Sequence, residues 1–262
     1  MDPIAFNFLG LDIRWYGIII AIGIWVALTI AYVNSKKLKL DFDSILNIFL
    51  IAFPFAIIGA RLYYVIFEFD NYKGNLVSIL NIRNGGIAIH GALIGGICAS
   101  IIYCKKKNIN FLKYADLAMP SLIIAQGIGR WGNFFNQEAH GGIVSVDFIS
   151  KFPKFIESGM NINGVYYHPT FLYESIWDFA IGIVLLFILY KFSKEYNGIV
   201  LAAYGILYSL GRFFIEGLRT DSLYFLGMRM AQLISLLIIL MSIILLICIV
   251  KKKNRKGKYI NN

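Results

Sequence analysis

Long apolar runs follow one another along almost the whole chain, and they restrict its possible folds more than any other feature of the sequence. A helix that rises 1.5 Å per residue needs about 20 residues to cross a hydrocarbon core of about 30 Å. Seven runs are predicted to be transmembrane helices, at about 14–33, 44–66, 86–104, 114–130, 170–190, 198–214 and 229–250. The sequence therefore predicts an all-α polytopic membrane protein, with a single membrane domain over residues 1–262.

The composition supports a membrane protein and excludes other classes. Apolar residues make up 58% of the chain and charged residues 15%, whereas soluble domains have about 45–50% and about 25%. Three cysteines in 262 residues are too few for a secreted disulfide framework. The net charge of +10 comes mostly from short loops between apolar runs, so nucleic acid is not expected as a partner.

The lysines predict which ends of the spans face the cytoplasm. Fifteen of the 25 basic residues, fourteen of them lysine, lie in four segments. These segments are 34–43, 105–113, 191–197 and 251–262. The positive-inside rule places them in the cytoplasm, so the N-terminus is outside and the C-terminus inside. The polar segment 131–169 is then predicted to be a small extracytoplasmic cap, and 251–262 a basic cytoplasmic tail.

The other ten basic residues differ in kind, because most of them are arginine. The seven arginines are Arg14, Arg61, Arg83, Arg130, Arg212, Arg219 and Arg229. A guanidinium group offers a planar fork of donors that suits phosphate and carboxylate. The alternative is that arginines at span ends extend to the membrane surface, which applies best to Arg14 and Arg229.

On the predicted topology, five spans carry polar groups at one depth, just below the outer surface. The group consists of Tyr16, Arg61, His90, Arg130, Tyr208, Arg212 and Glu216. Charged side chains inside membrane spans are costly, so such a group is by default a candidate functional site.

Each member of this group also has a structural interpretation. His90 could only bond to a neighbouring helix, and Arg61 and Arg212 could pair with Glu216 or another acid. We expect Glu174 and Asp178, one turn apart, to satisfy arginines or backbone groups rather than to take part in chemistry. The glycines near His90 have the spacing that lets two helices approach closely.

Several kinds of catalytic site are not expected from the sequence. Cys98, Cys104 and Cys248 lie inside spans or at their cytoplasmic ends, where we assign them to packing. The three histidines lack acidic or cysteine partners at the spacing of a zinc site, so no metal is expected. A serine hydrolase elbow of the Gly-x-Ser-x-Gly type does not occur in the sequence.

The densest polar segment is residues 129–141, Gly-Arg-Trp-Gly-Asn-Phe-Phe-Asn-Gln-Glu-Ala-His-Gly. Its arginine suits phosphate, and its amides and carboxylate suit glycerol hydroxyls. The segment resembles the signature of the prolipoprotein diacylglyceryl transferase family, Gly-Arg-x-Gly-Asn-Phe-x-Asn-x-Glu-x-x-Gly, at every fixed position. Further segments similar to that family, in the same order, are 14–17, 90–96, 168–174, 211–221 and 230–235.

The resemblance implies a seven-span enzyme of the bacterial cytoplasmic membrane. It would transfer the diacylglyceryl group of phosphatidylglycerol to the lipobox cysteine of a prolipoprotein signal peptide, forming a thioether and releasing glycerol 1-phosphate. Its partners would be these two substrates and membrane lipid, and it would need no cofactor. His90, Arg212 and Tyr208 are assigned to catalysis. Phosphatidylglycerol binding is assigned to Arg130, Tyr16, Asn133, Glu138, Gly141 and Glu216, and to Arg61 from the predicted outer group.

Two alternatives from other classes remain open at this point. A transporter or channel would line a pathway with such charges, but a transporter commonly shows internal repeats and a midplane site, and we find no repeat. A metal-dependent lipid-headgroup transferase would need a carboxylate cluster within the spans. The acids available there, namely Asp116, Glu174, Asp178 and Glu216, are widely scattered in the sequence.

Overall fold

The structure is a computed structural model that describes residues 1–73, 76–81, 85–225 and 227–260. Arg83 and the last two residues of the predicted cytoplasmic tail lie outside the described residues. The seven longest helices are α1 (Trp15–Leu38), α2 (Phe42–Phe67), α3 (Ile89–Lys106), α4 (Phe111–Asn136), α7 (Thr170–Phe192), α8 (Ile199–Glu216) and α9 (Met230–Ile260). Two short helices lie between α4 and α7, namely α5 (Val146–Ile149) and α6 (Lys154–Gly159).

Each predicted span overlaps one long helix, and the chain is a multi-pass membrane protein. Within the described residues, five helices are long and apolar enough to cross a membrane: α1, α2, α7, α8 and residues Met230–Lys253 of α9. The outward faces of these helices are apolar, as at Ile183, Phe187 and Met241. Helices α3 and α4 are not among the five. They are the ones whose sequences include His90, Asp116 and Arg130.

Three short antiparallel hairpins were not predicted from the sequence. They pair β1 (Ile4–Phe8) with β2 (Leu11–Arg14), β3 (Asn161–Ile162) with β4 (Val165–Tyr166), and β5 (Tyr224–Phe225) with β6 (Met228–Arg229). Four of these strands have only two residues and the others four or five. Such lengths are too short for an alternating pattern to be recognised. The fold is therefore mostly, rather than entirely, helical.

The chain divides into two compact units, and the smaller unit comprises Lys39–Tyr114. It contains α2 and α3, which pack closely through glycine. A methyl group on Gly91 would overlap the carbonyl oxygen of Gly59, and one on Gly95 would overlap that of Phe55. This close approach confirms the expectation drawn from the glycine spacing.

The larger unit comprises Met1–Leu38 and Ala115–Asn262. One of its cores lies between α4, α7 and α8 and is formed by Ile123, Ile181, Leu185, Leu189 and Val200. At one end of this core the buried Asp116 of α4 accepts hydrogen bonds from the backbone N–H groups of Gly198 at 2.6 Å and Leu201 at 2.9 Å. Asp116 therefore caps the start of α8 from another helix and helps to fix its position.

A second core of the larger unit explains why α4 is longer than predicted. Its buried members are Phe134, Ile149, Ile156, Met160 and Phe171. Phe134 lies beyond the predicted end of the fourth span at residue 130, and burial of its ring keeps the helix intact to Asn136. The segment predicted as a cap therefore leaves the helix at residue 137 rather than at 131.

Candidate active site

A single carboxylate joins two of the predicted site arginines in the larger unit. Glu174, in the first turns of α7, lies with Oε2 2.6 Å from Nε of Arg130 at the end of α4. Its Oε1 accepts from Nη1 of Arg212 on α8 at 2.9 Å. The Glu174 side chain is 7% exposed, so these ion pairs are largely shielded from solvent. The prediction that Glu174 satisfies arginines is confirmed.

Arg212 is held from two sides. Its Nη2 lies 2.6 Å from Oε2 of Glu216, one turn further along α8. Arg229 donates from Nη1 to the backbone carbonyl oxygen of the same Glu216. The pairing of Arg212 with Glu216, which the sequence left open as a structural alternative, is thus present, and both terminal amino groups of Arg212 are engaged with carboxylates.

Arg130 differs from Arg212 in the atoms it uses. It is paired through Nε, and within the described residues its two terminal amino groups donate no hydrogen bond. Its side chain is 21% exposed. A guanidinium group in this state can still offer a two-pronged set of donors to an anion such as a phosphate.

A third arginine, which the sequence analysis did not assign to the site, extends the cluster. Arg219 lies 3.5 Å from Glu174 through Nη1 and forms a bidentate pair with Asp221 at 2.6 and 2.9 Å. Hydrogen bonding to Arg219 holds the pKa of Asp221 below its ordinary value. Its arginine type and its place in the C-terminal motif were the signals in the sequence that could have identified Arg219.

Tyr208, a predicted site residue, lies on α8 one turn before Arg212. The ring of Tyr208 stacks on Tyr204 with centroids 5.5 Å apart, and the hydroxyl of Tyr204 donates to Gln126 at 3.0 Å. Gln126 precedes Arg130 by one turn of α4, so this tyrosine pair is linked to the part of α4 that carries Arg130.

The rest of the signature segment forms the turn that follows α4. Asn133 and Asn136 both donate to Oε1 of Glu138, at 3.0 and 3.4 Å. The backbone between them and Gly141 is tightly bent, since Gln137 and Ala139 have positive φ angles of 52° and 56°. Asn133 and Glu138, two predicted site residues, are thus in contact.

Gly141 sits where the signature turn meets two other segments. Its N–H donates to the carbonyl oxygen of His168 at 3.0 Å, and that of Gly142 donates to Leu218 at 3.1 Å. A Cβ atom on Gly141 would lie 2.6 Å from Cβ of His168 and 3.0 Å from the oxygen of Leu218. Only glycine allows this close approach, which holds the signature turn against the segment that carries Arg219.

Tyr16 lies at the start of α1 beside the signature helix. Its ring occupies the space in which a side chain on Gly132 would lie. The neighbouring Trp15 stacks on Phe135 with ring centroids 5.1 Å apart. The glycine at position 132 of the signature therefore makes room for a predicted site residue.

The smaller unit holds the other two predicted residues, Arg61 and His90. Arg61 donates to four backbone carbonyl oxygens, of Ile79 at 2.7 Å, Ser78 at 2.8 Å, Gly86 at 2.7 Å and Gly85 at 3.0 Å. These contacts give Arg61 a structural role, and its predicted part in lipid binding stays a prediction. His90 lies in the first turn of α3, with its ring 5.9 Å from that of Tyr63.

Comparison with known proteins gives one consistent family. Residues 3–248 match the family described as prolipoprotein diacylglyceryl transferase. The chain is 60% identical to phosphatidylglycerol–prolipoprotein diacylglyceryl transferase 1 of Clostridium perfringens strain 13, over the whole of both chains. It is 58% identical to the phosphatidylglycerol–prolipoprotein diacylglyceryl transferase of Clostridium botulinum strain Langeland, over 97% of this chain and 100% of that relative. The enzyme of that name from Clostridium kluyveri is 56% identical over 93% of this chain and 94% of its own length.

Proposed function

The chain belongs to the prolipoprotein diacylglyceryl transferase family, and from this premise we propose how its own residues perform the transfer. It is a transferase of lipoprotein biosynthesis, which moves the diacylglyceryl group of phosphatidylglycerol to a prolipoprotein in the first step of lipoprotein maturation. The acceptor atom is the thiol sulfur of the lipobox cysteine. The sulfur attacks the glycerol carbon that bears the phosphate ester, the carbon–oxygen bond breaks, and glycerol 1-phosphate leaves with the bonding electrons.

The terminal amino groups of Arg130 are the observation that carries this proposal. They donate no hydrogen bond within the described residues, and Arg130 is held through Nε by a shared carboxylate. We assign them to the phosphate of phosphatidylglycerol, where a bidentate contact supplies both affinity and orientation. The carboxylate behind Arg130 keeps the guanidinium in place before the lipid arrives, so that little reorganisation is needed on binding.

Arg212 acts on the charge that develops as the reaction proceeds. When the carbon–oxygen bond breaks, negative charge grows on the leaving phosphate oxygen. A fixed cation in a low-dielectric site stabilises that charge more than it stabilises the ground state. We assign Tyr208 and Glu216 to the stabilisation of the same developing charge, because they adjoin Arg130 and Arg212.

The signature turn is assigned to the glycerol headgroup. Asn133 and Glu138 form a paired amide and carboxylate, which can donate to and accept from hydroxyl groups. Gly141 keeps the turn close to the segment of Arg219, and Tyr16 closes the side of the signature helix. Arg61 is left out of this set because its donors are engaged with loop carbonyls.

We assign the proton of the attacking thiol to His90, on the strength of the family motif and imidazole chemistry. A free thiol is mostly protonated near neutral pH, and an imidazole can accept its proton as attack begins. His90→Asn should sharply reduce thioether formation while phosphatidylglycerol binding is retained. Wild-type turnover in this variant would remove His90 from the mechanism.

The proposed topology has seven spans in the bacterial cytoplasmic membrane, with the N-terminus outside. It is supported by the lysine-rich connections and by the lengths of α3 and α4, which have 18 and 26 residues. At about 1.5 Å per residue both helices approach or exceed a core of about 30 Å. Cysteine scanning with a membrane-impermeant thiol reagent would test this. Labelling of residues in 105–113 from outside the cell would contradict the orientation.

One reconstitution experiment tests the proposed function as a whole. The purified protein is incubated with phosphatidylglycerol that carries labelled acyl chains and with a lipobox peptide. The expected result is a diacylglyceryl mass added to the cysteine, together with release of glycerol 1-phosphate. A peptide with serine in place of the cysteine is the control and should stay unmodified. No mass on the cysteine peptide would overturn the proposal.

A further inference from the structure

A buried serine hydroxyl holds the helical turn that carries Arg130. Ser175 on α7 is 2% exposed. Its Oγ donates to the carbonyl oxygen of Gly127 at 2.8 Å and accepts from the indole Nε1 of Trp131 at 3.2 Å. Gly127 and Trp131 begin and end one turn of α4, and Arg130 lies within that turn. We propose that Ser175 and Trp131 are positioning residues, which set the guanidinium of Arg130 for the lipid phosphate.

This inference deepens the proposed function and rests on it. Nothing in the family signature requires it, because Trp131 occupies one of the variable positions of the pattern. Ser175 lies just after the last fixed position of the motif that ends at Glu174. The contact between the two residues is therefore not contained in the signature and is found only when the helices are brought together.

The chemistry of the contact requires a hydroxyl at position 175. A hydroxyl can donate one hydrogen bond and accept another at the same time, whereas an alanine can do neither. Loss of the serine hydroxyl leaves the indole N–H of Trp131 without this acceptor. Glycine at position 127 also matters, since a Cβ there would be 3.3 Å from the Ser175 carbonyl oxygen, and this closeness of α4 to α7 brings the Gly127 carbonyl within reach of the serine hydroxyl.

The serine complements the ion pair beside it. Glu174 and Ser175 are consecutive on α7, and they contact Arg130 and Trp131, which are consecutive on α4. A carboxylate alone tolerates a range of guanidinium positions, because the attraction depends weakly on angle. The hydroxyl contacts fix how far α4 is rotated and shifted against α7. With that register fixed, Glu174 engages Nε of Arg130 and leaves the two terminal amino groups unpaired.

Trp131 also connects the register of α4 against α7 to the aromatic residues around it. Its ring makes edge contacts with Phe134 and Phe171, with centroids 5.9 and 5.2 Å apart. It stacks on Phe155 at 6.3 Å. Phe134 and Phe171 belong to the second core of the larger unit, so the indole is held on one side by that core and on the other by Ser175. A phenylalanine at position 131 would keep an aromatic ring in the core and remove only the N–H donor.

The test is to measure the KM values of purified S175A and W131F for phosphatidylglycerol and for a lipobox peptide. Each variant should raise the KM for phosphatidylglycerol about 2- to 10-fold, the range that corresponds to one lost hydrogen bond. The KM for the peptide should stay at the wild-type value. A general loosening of the fold would instead raise both KM values. S175A/W131F should match S175A alone, because both substitutions break the same contact.

A matched buried serine directly after the end of the same helix is the control. Ser193 is also buried, and its hydroxyl donates to the carbonyl oxygen of Leu189 in that helix at 2.5 Å. S193A should leave both KM values unchanged. R130A, measured in the same assay, should raise the KM for phosphatidylglycerol more than either positioning variant does.

The outcomes separate this inference from the function on which it rests. If R130A raises the KM for phosphatidylglycerol while W131F and S175A do not, the positioning role is wrong and the proposed function stands. If R130A leaves that KM unchanged, the assignment of Arg130 to the phosphate is wrong, and the positioning role falls with it. Should S175A fail to fold, W131F alone decides the question, because it retains the aromatic core contact.

Discussion

Two arginines of this protein, the buried Arg61 and the partly buried Arg130, are satisfied in opposite ways. Arg61, in the unit of Lys39–Tyr114, gives its hydrogen bonds to four backbone carbonyl oxygens and lies over the ring of Tyr72. Arg130, in the larger unit, is held by a carboxylate through Nε, and within the described part of the chain its terminal amino groups donate no hydrogen bond. Both lie in helices whose environment makes an unpaired cation costly.

The difference shows how to distinguish a structural arginine from a binding one. Carbonyl oxygens use up the donors of a guanidinium group, so Arg61 has little left to offer a ligand. A carboxylate on one edge holds the group and leaves the opposite edge available, which is the arrangement expected before an anion binds. Both residues lie in predicted spans, so their positions in the sequence did not show which one is structural. Their contacts in the structure do show it.

The largest effect is expected from Arg130→Ala, which removes the unpaired donors. The rate of transfer should fall on the order of 10²–10³-fold, by analogy with the loss of one donor to a developing anion. The measurement is thioether formation at a fixed phosphatidylglycerol concentration, and Arg61→Ala in the same assay is the comparison. A larger loss of rate in folded Arg61→Ala than in Arg130→Ala would reverse our comparison.

Arg212→Lys should have the next largest effect. A lysine keeps the positive charge but cannot contact Glu174 and Glu216 with two separate amino groups at once. Loss of one charge-assisted hydrogen bond corresponds to about 10- to 150-fold in rate. Steady-state kinetics would show the change in kcat. Full activity would mean that a positive charge alone is sufficient and that the planar arrangement of the guanidinium donors is not needed.

Arg61→Lys should affect stability rather than lipid capture. An ammonium group has three donors in place of five, so at least one of the four loop carbonyls loses its partner. We expect a loss of about 1–3 kcal/mol in the free energy of unfolding, with the KM for phosphatidylglycerol unchanged. Thermal unfolding in detergent and the kinetic assay give the two values. A raised KM without a loss of stability would return Arg61 to the lipid site.

The smallest effect is expected at Asp221. Because its pKa is lowered by Arg219, the stabilisation from this pair is present above the ordinary aspartate pKa of about 3.9. It is lost only as the pH falls through the lower value in the folded protein. Asp221→Asn should therefore leave the shape of the pH–rate profile unchanged between about pH 5 and pH 8. A new inflection in that window would contradict this assignment.

Much of the helical framework could be predicted from the sequence, because apolar runs of spanning length have few other ways to fold. Each predicted run overlaps one long helix. The end of α4 could not be predicted, since it depends on Phe134 packing into a core made with Met160 and Phe171, which are distant in sequence. The hairpins were missed because their strands are short and carry no strong pattern.

The candidate site could be predicted in part for a related reason. Residue type and spacing pointed to Arg130, Arg212 and Glu216, and the larger unit brings these three together with Glu174 between the two arginines. The inclusion of Arg219 and the contacts of Arg61 depend on how loops fold back onto helices. Charge and hydropathy patterns carry no information on such contacts, so they become visible only in three dimensions.

The most direct test is a distance between arginine and lipid phosphorus. Protein with ¹³C at the arginine guanidinium carbons is reconstituted with phosphatidylglycerol, and ¹³C–³¹P dipolar dephasing is measured by solid-state NMR. We predict dephasing that corresponds to a direct hydrogen bond, with N and O about 2.7–2.9 Å apart, retained in Arg61→Lys and strongly reduced in Arg130→Ala. Dephasing that persists in Arg130→Ala and disappears in Arg61→Lys would contradict our assignment of the two arginines.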